Sequence, residues 1–402
     1  MDAGPSPRLL TNAPHRLLFF VGAANVLLAM LWWFLWLVDM RWHAIGLRQP
    51  AVYGGWIHAI VMQYQVLAPF MFGFLLTVFP RWMAQDDIGR WHYVPVGIGL
   101  FGGQLLTLAG AFGPQHLLHL GALFTLAGWA TGLFYLLRWL LRDRGKTWHA
   151  VSCAGAMLLG FAGFLAYVGY LHSGDARLVF AAIKIGTFGL LLPVYFTVAH
   201  RMFPFFAGNV VRGYQAWRPE WMLAAFWVFV LAHLVLELMH ALRWTWFSDL
   251  GLLVLSAAWL WRNWPHGPMP RLLRVLFLGY AWLPISMALY AAQSLLRFGG
   301  GDALGRAPAH ALFVGFFGSL LVAMVTRVTQ GHSGRPLVFG GVATFAFVAI
   351  QCVCVTRIVA ELVPDQMAWQ AVAAIGWLLA FLPWVLLSGW IYLTPRADGK
   401  PG

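Results

Sequence analysis

Long apolar runs separated by short polar connectors dominate this chain and limit the folds that are open to it. A membrane-spanning helix needs about 20 apolar residues, because each residue advances the helix by about 1.5 Å through a hydrocarbon layer about 30 Å thick. We predict twelve such spans, at residues 17–39, 58–80, 93–113, 116–141, 149–172, 177–200, 220–242, 246–264, 271–296, 308–328, 336–359 and 367–393. The fold class is therefore all-α: a polytopic membrane bundle that forms a single transmembrane domain over residues 1–402.

The charged residues agree with this interpretation. They make up 10% of the chain, whereas a soluble domain has roughly 25%. The net charge of +13 does not indicate nucleic-acid binding, because the basic residues lie mainly in alternate connectors, such as those with Arg81 and Arg142. Cytoplasmic connectors are enriched in Lys and Arg, so this bias places both termini in the cytoplasm and requires an even number of spans. The lipid bilayer is the partner that the composition predicts.

A repeat of four helices is visible along the chain. Spans two, six and ten each end in a polar segment with an arginine, at Arg81, Arg201 and Arg327, and spans two and ten each begin with a histidine. This spacing predicts three four-helix units.

Histidine is abundant for so apolar a chain, with 14 residues, and neutral imidazole is a common ligand of haem iron and copper. His58 and His310 each open a span on the same predicted face of the membrane, where they could hold a b-type haem without a covalent link. The alternative is that each is an interfacial histidine that hydrogen-bonds to a loop. The sequence has no CxxCH motif, which would attach a haem covalently.

A second polar group lies within the seventh span. His233, Glu237 and His240 have spacings of i, i+4 and i+7, which place them on one helix face. Such a group could bind a metal, relay protons, or form an internally satisfied polar cluster. Ionisable side chains inside spans are costly and often functional, so we count all three among the candidate metal ligands.

The loop after the tenth span contains Arg327, His332 and Arg335, with glycines that permit a sharp turn. Two guanidinium groups suit haem propionates or another anion, whereas a basic loop of the cytoplasmic face is the alternative. His310 and His332 are about 33 Å apart along a helix, so they cannot bind the same metal ion.

Several of these segments together resemble the NnrS family of bacterial membrane proteins. The specific part is the tenth span from His310 to Arg327, followed by Gly331-His332-Ser333-Gly334-Arg335-Pro336-Leu337. Supporting segments are Gly73-Phe74-Leu75-Leu76-Thr77, Arg201-Met202-Phe203-Pro204-Phe205-Phe206 and Gly279-Tyr280-Ala281-Trp282-Leu283-Pro284. Members have twelve spans, are reported to contain haem and copper, and are linked to nitric oxide metabolism and tolerance of nitrosative stress.

The resemblance implies a haem protein of the bacterial inner membrane that binds or processes nitric oxide or another small gas, in denitrification or nitrosative-stress tolerance. His58 and His310 would be axial ligands of haem b, and an oxidoreductase of this kind would take electrons from a quinol or a cytochrome. The four-helix repeat also resembles the haem-copper oxidase catalytic subunit, an architectural analogy only. The alternatives are a non-enzymatic haem or metal transporter and a membrane sensor, and no catalytic residue is predicted.

One departure from the family pattern concerns copper. The second span of the family usually opens with His-x-His-Glu, but here Ile60 and Val61 follow His58 where the second histidine and the glutamate are expected. Copper therefore stays open: either the site is lost here, or Gln63, Gln65 or another histidine takes the place of the missing ligands. His200, where the family tends to have a small residue, is a candidate for a relocated or additional metal ligand.

Overall fold

The computed structural model describes residues 4–400, which form helices joined by short connectors and contain no β-strand. Twelve long helices cover the twelve predicted runs. In chain order, α1 to α12 are Pro14–Trp42, Gly54–Trp82, Arg90–Gly110, Gln115–Asp143, Trp148–Ser173, Ala176–Val210, Trp221–Leu238, Trp246–Asn263, Arg271–Phe298, Ala307–His332, Gly341–Val359 and Gln366–Leu393. The predicted fold class, a polytopic helical membrane protein, is confirmed.

Eleven of these helices are long and apolar enough to cross a membrane, and α8 is the exception. This helix has 18 residues, among them Asp249 and Arg262. The two ends of the chain nevertheless lie together, since the Ser6 amide donates a hydrogen bond of 2.7 Å to the Leu393 carbonyl. The number of crossings between them must then be even, which α8 provides if it crosses as the twelfth span. The cytoplasmic location of the termini stays a prediction.

The described residues form two compact units. The first contains the residues up to Leu191, Val328–Pro336 and the residues from Phe381 onward. The second contains Leu192–Arg327 and Leu337–Ala380. The chain thus groups into two units, whereas the sequence repeat predicted three of four helices each.

The four-helix spacing has a different counterpart in the backbone. Three of the long helices contain a π-helical segment, at Met62–Val66 in α2, Ile185–Leu191 in α6 and Ala311–Gly318 in α10. These are the three helices that share the arginine-bearing exit. Longer π-helices are rare, and π-segments within α-helices are frequent at functional sites. A functional site is therefore expected along these helices.

In the first unit, α3 and α4 pack closely through glycines. A Cβ atom at Gly99 would lie 2.5 Å from the Cα atom of Gly128, so a side chain at Gly99 would meet the facing backbone. Small residues of this kind let helices approach each other in membranes, where lipid already solvates larger apolar side chains.

Candidate functional site

His58 lies in the first unit, four residues before the π-helical segment of α2. Its imidazole stacks on the indole of Trp33, with ring centroids 4.2 Å apart and an interplanar angle of 14°. Trp33 in turn stacks on Trp36 at 4.9 Å, and the Trp36 Nε1 donates a hydrogen bond to the Gln49 Oε1. The stack sets the plane of the half-buried imidazole.

His310 lies in the second unit, immediately before the π-helical segment of α10. Its Nδ1 is 2.9 Å from the carbonyl oxygen of Arg306, which can only accept a hydrogen bond. The proton therefore lies on Nδ1, and Nε2 is the nitrogen with the lone pair. Metal-bound histidines commonly have this arrangement, in which one ring nitrogen donates to a carbonyl and the other binds the metal.

The helix face after His310 is closely packed. The indole of Trp282 covers Gly315, where a Cβ atom would lie 2.5 Å from the ring. The Trp282 Nε1 donates to the Gln351 Oε1 at 2.6 Å, and the Gln351 Nε2 donates to the Ser319 hydroxyl at 2.8 Å. Gly315 therefore serves close packing against an aromatic side chain.

His233 is the centre of a buried polar group in the second unit. Its Nδ1 lies 2.6 Å from the Asp249 Oδ1, and its Nε2 lies 3.4 Å from the Glu237 Oε1. His233 and Asp249 are fully buried and Glu237 is 5% exposed, while the ring of Tyr290 meets the imidazole edge to face at 5.5 Å. One imidazole between two carboxylates can pass a proton from one to the other.

The predicted triad on α7 is wrong in one member. Helix α7 ends at Leu238, and His240 follows in the left-handed region with φ of 54°, so it does not continue the face of His233 and Glu237. Asp249 from α8 is the second acid beside His233, and sequence analysis did not select it. Its signal was an acidic residue inside a predicted span. Within residues 4–400, no group of three or more His, Cys, Asp or Glu could hold a metal ion.

The loop after α10 meets the N-terminus of α1 in the first unit. The imidazoles of His332 and His15 lie 4.4 Å apart, and the His332 Nδ1 lies 3.0 Å from the Val328 carbonyl oxygen. The Arg335 guanidinium donates to the Thr394 hydroxyl at 3.3 Å, and burial lowers its pKa. Sequence analysis missed His15, because nothing in the spacing relates it to residue 332.

Basic groups dominate this end of the unit. Arg16 donates hydrogen bonds to the carbonyls of Leu9, Tyr392 and Thr394, and Arg396 pairs with Asp398 at 2.6 Å. The hydrogen bond from Arg396 holds the pKa of Asp398 well below its usual range. The excess of positive charge suits an anion.

Arg327 and His200 belong to the second unit. The Arg327 guanidinium lies over the Phe206 ring at 3.8 Å from the centroid. His200 is fully buried in the same unit among aromatic rings, 5.9 Å from Phe196 and 6.4 Å from Trp259. Each predicted ligand thus has its own surroundings, and the pairing of His58 with His310 across one haem stays a prediction.

Comparison with known proteins identifies one family. The model of the family described as NnrS protein matches residues 9–396, nearly the whole chain. A search of curated proteins found no match.

Proposed function

Because this chain belongs to the NnrS family, which suggests a role related to nitric oxide, we propose that it binds b-type haem, with His58 of the first unit and His310 of the second unit as the candidate iron ligands, and that it binds or processes nitric oxide at the haem. The bacterial inner membrane is its proposed location, with both termini in the cytoplasm. Haem would supply the iron that binds nitric oxide, and the gas would compete with one of the two imidazoles for that iron if both are ligands.

The tautomer of His310 carries this proposal. Its Nδ1 proton is committed to the Arg306 carbonyl, which leaves the ring oriented with the basic Nε2 as the metal-binding nitrogen. His310 therefore would suit haem iron as a nitrogen ligand. The Trp33 stack supports His58 in a similar way, since it limits rotation of the imidazole before any ligand is bound.

We do not propose copper binding, because α2 lacks two of the ligands that the family pattern provides. Ile60 and Val61 stand where the family has a histidine and a glutamate, and their side chains are 0% and 1% exposed. Both are apolar, so neither supplies a copper ligand.

The proposal is tested by the optical spectrum of the purified protein after expression with ample haem. We expect a Soret band in the wild type that shifts on addition of nitric oxide, and loss of that band in His310→Ala and His58→Ala. His119→Ala is the matched control. The Nδ1 and Nε2 of His119 lie 3.2 Å from the carbonyl oxygens of Gln115 and Leu171, respectively, and His119 is not a proposed ligand, so we expect no change in the spectrum.

A wild-type protein without a Soret band, or unchanged spectra in both variants, would contradict haem binding at these residues. Steady consumption of nitric oxide with an electron donor would identify an oxidoreductase, and a spectral shift without consumption would identify a binding or sensing protein.

A further inference from the structure

A cluster of neutral polar side chains lies inside the first unit. It contains Asn25 from α1, Gln65 from the π-helical segment of α2 and Gln104 from α3. Asn25 and Gln104 are 0% exposed and Gln65 is 1% exposed. We call these three residues the amide cluster. Three buried amides within membrane-spanning helices are costly unless their polar atoms have partners.

The orientation of Gln65 follows from its neighbours. Its Nε2 lies 3.0 Å from the Thr107 Oγ1 and 2.9 Å from the Thr125 Oγ1. Each threonine hydroxyl donates its own proton to a main-chain carbonyl one turn earlier, at 2.8 Å, so it accepts from Gln65. The nitrogen of the Gln65 amide must face the threonines, and its oxygen must point elsewhere.

The other two amides are oriented by main-chain carbonyls. The Asn25 Nδ2 donates to the Gln65 carbonyl oxygen at 2.7 Å, and the Gln104 Nε2 donates to the Asn25 carbonyl oxygen at 2.9 Å. A carbonyl only accepts, so an exchange of the amide nitrogen and oxygen would break each bond. These bonds also connect the three residues into one chain of contacts.

The three side-chain oxygens are consequently the atoms that need a partner. Asn25 Oδ1, Gln65 Oε1 and Gln104 Oε1 are buried and accept no hydrogen bond from the protein. All three are acceptors only, so the group that satisfies them must be positively charged or a hydrogen-bond donor. Amide and carbonyl oxygens are hard ligands of the type that bind alkali and alkaline-earth cations.

We propose that the amide cluster binds a monovalent alkali cation through these three oxygens. The three amides and the two threonines, Thr107 and Thr125, carry no charge. This favours a monovalent over a divalent ion, because a second positive charge would have no compensating carboxylate in the membrane interior. The bound cation links α1, α2 and α3. Neither the site nor its test depends on haem.

Equilibrium binding of ²²Na⁺ to the purified protein in detergent, with choline chloride replacing other salts, tests the proposal. We expect saturable binding and a rise of the melting temperature with Na⁺ at constant ionic strength, because a ligand that binds only the folded state stabilises it. Choline is too large for a buried site lined by amide side chains and should give no such rise.

Two kinds of variant connect the binding to the cluster. Asn25→Leu and Gln104→Met keep the side-chain volume but remove an oxygen, and each should weaken Na⁺ binding at least about tenfold, the effect of about 1.4 kcal/mol. Gln104→Glu adds a negative charge and should strengthen it. Gln351→Met is the matched control. Gln351 also lies within a span, in the second unit, but both the oxygen and the nitrogen of its side-chain amide have hydrogen-bond partners.

Absence of saturable ²²Na⁺ binding in the wild type would overturn the proposal and assign the three oxygens to buried water. Unchanged binding in a folded Gln104→Met protein would overturn it as well. The Gln104→Glu variant provides a test even if Asn25→Leu and Gln104→Met do not fold. A Na⁺ affinity of Gln104→Glu no higher than that of the wild type would contradict the site.

Discussion

At the scale of single residues, the His233 group shows how this protein places charge inside the membrane. Two carboxylates, from Asp249 and Glu237, lie against the two nitrogens of one imidazole. An isolated buried charge costs far more than a paired one, so loss of one partner leaves the others uncompensated. Asp249, which makes the shorter contact and comes from a separate helix, should be the sensitive member.

Asp249→Ala should lower the melting temperature in detergent strongly, because removing one partner of a buried pair costs about 3–5 kcal/mol. Asp302→Ala is the comparison. Asp302 likewise has a basic partner, Arg297 at 3.0 Å, but the Asp302 side chain is 53% exposed. Exposed ion pairs contribute little, so that variant should melt close to the wild type. Equal shifts in the two variants would mean that burial does not set the energy of the His233 group.

At the scale of helices, two features are notable: the glycine contact between α3 and α4 and the π-helical segments of three spans. Helices α3 and α4 approach through Gly99 and Gly128, a contact that depends on the absence of side chains. The π-helical segments of α2, α6 and α10 occur in otherwise α-helical spans, and that of α2 contributes Gln65 and its main-chain carbonyl to the amide cluster.

Gly99→Ala should destabilise the protein, because the new methyl group would lie 2.5 Å from the Gly128 Cα and the two helices would have to separate. Gly155→Ala in α5 is the control. A Cβ atom there meets nothing within 4 Å, so the higher helix propensity of alanine should leave the stability unchanged or raise it by up to about 1 kcal/mol. Thermal unfolding in detergent measures both, and a Gly99→Ala protein as stable as Gly155→Ala would exclude tight packing at this contact.

At the scale of the whole molecule, the number of crossings is decided by α8. The hydrogen bond from Ser6 to the Leu393 carbonyl brings the two ends of the chain to one side, although only eleven helices are apolar enough by length and composition alone. Asp249 lowers the hydropathy of α8. This carboxylate is buried and paired with His233, so its presence is compatible with a helix that packs in the bundle.

Cysteine labelling in intact cells and inverted vesicles tests whether α8 crosses. In a background without Cys153, Cys352 and Cys354, single cysteines at Met239 and His266, exposed positions that flank α8, should react from opposite sides. Cysteines at Ile45 and Asp87 flank α2, a helix that is long and apolar enough to cross, and provide the reference. Labelling of Met239→Cys and His266→Cys from the same side would leave eleven crossings and contradict the even number.

The sequence by itself determined the helical class, the positions of the spans and the family. The physical reason is that a backbone in hydrocarbon must satisfy its hydrogen bonds within each span, so length and apolarity are sufficient to define a helix. It also placed His233 and Glu237 together, because they lie one turn apart on α7. The helical spacing does not apply beyond Leu238, where α7 ends, so His240 does not share the helix face of His233 and Glu237.

Only the tertiary structure decided which side chains from different helices meet. Asp249 lies 16 residues from His233, and His15 lies far along the chain from His332, and periodicity carries no information about such pairs. The π-helical segments were equally invisible in the sequence, because they alter the residues per turn without a change of composition. Contacts between helices depend on the packing of the whole unit, which no single span encodes.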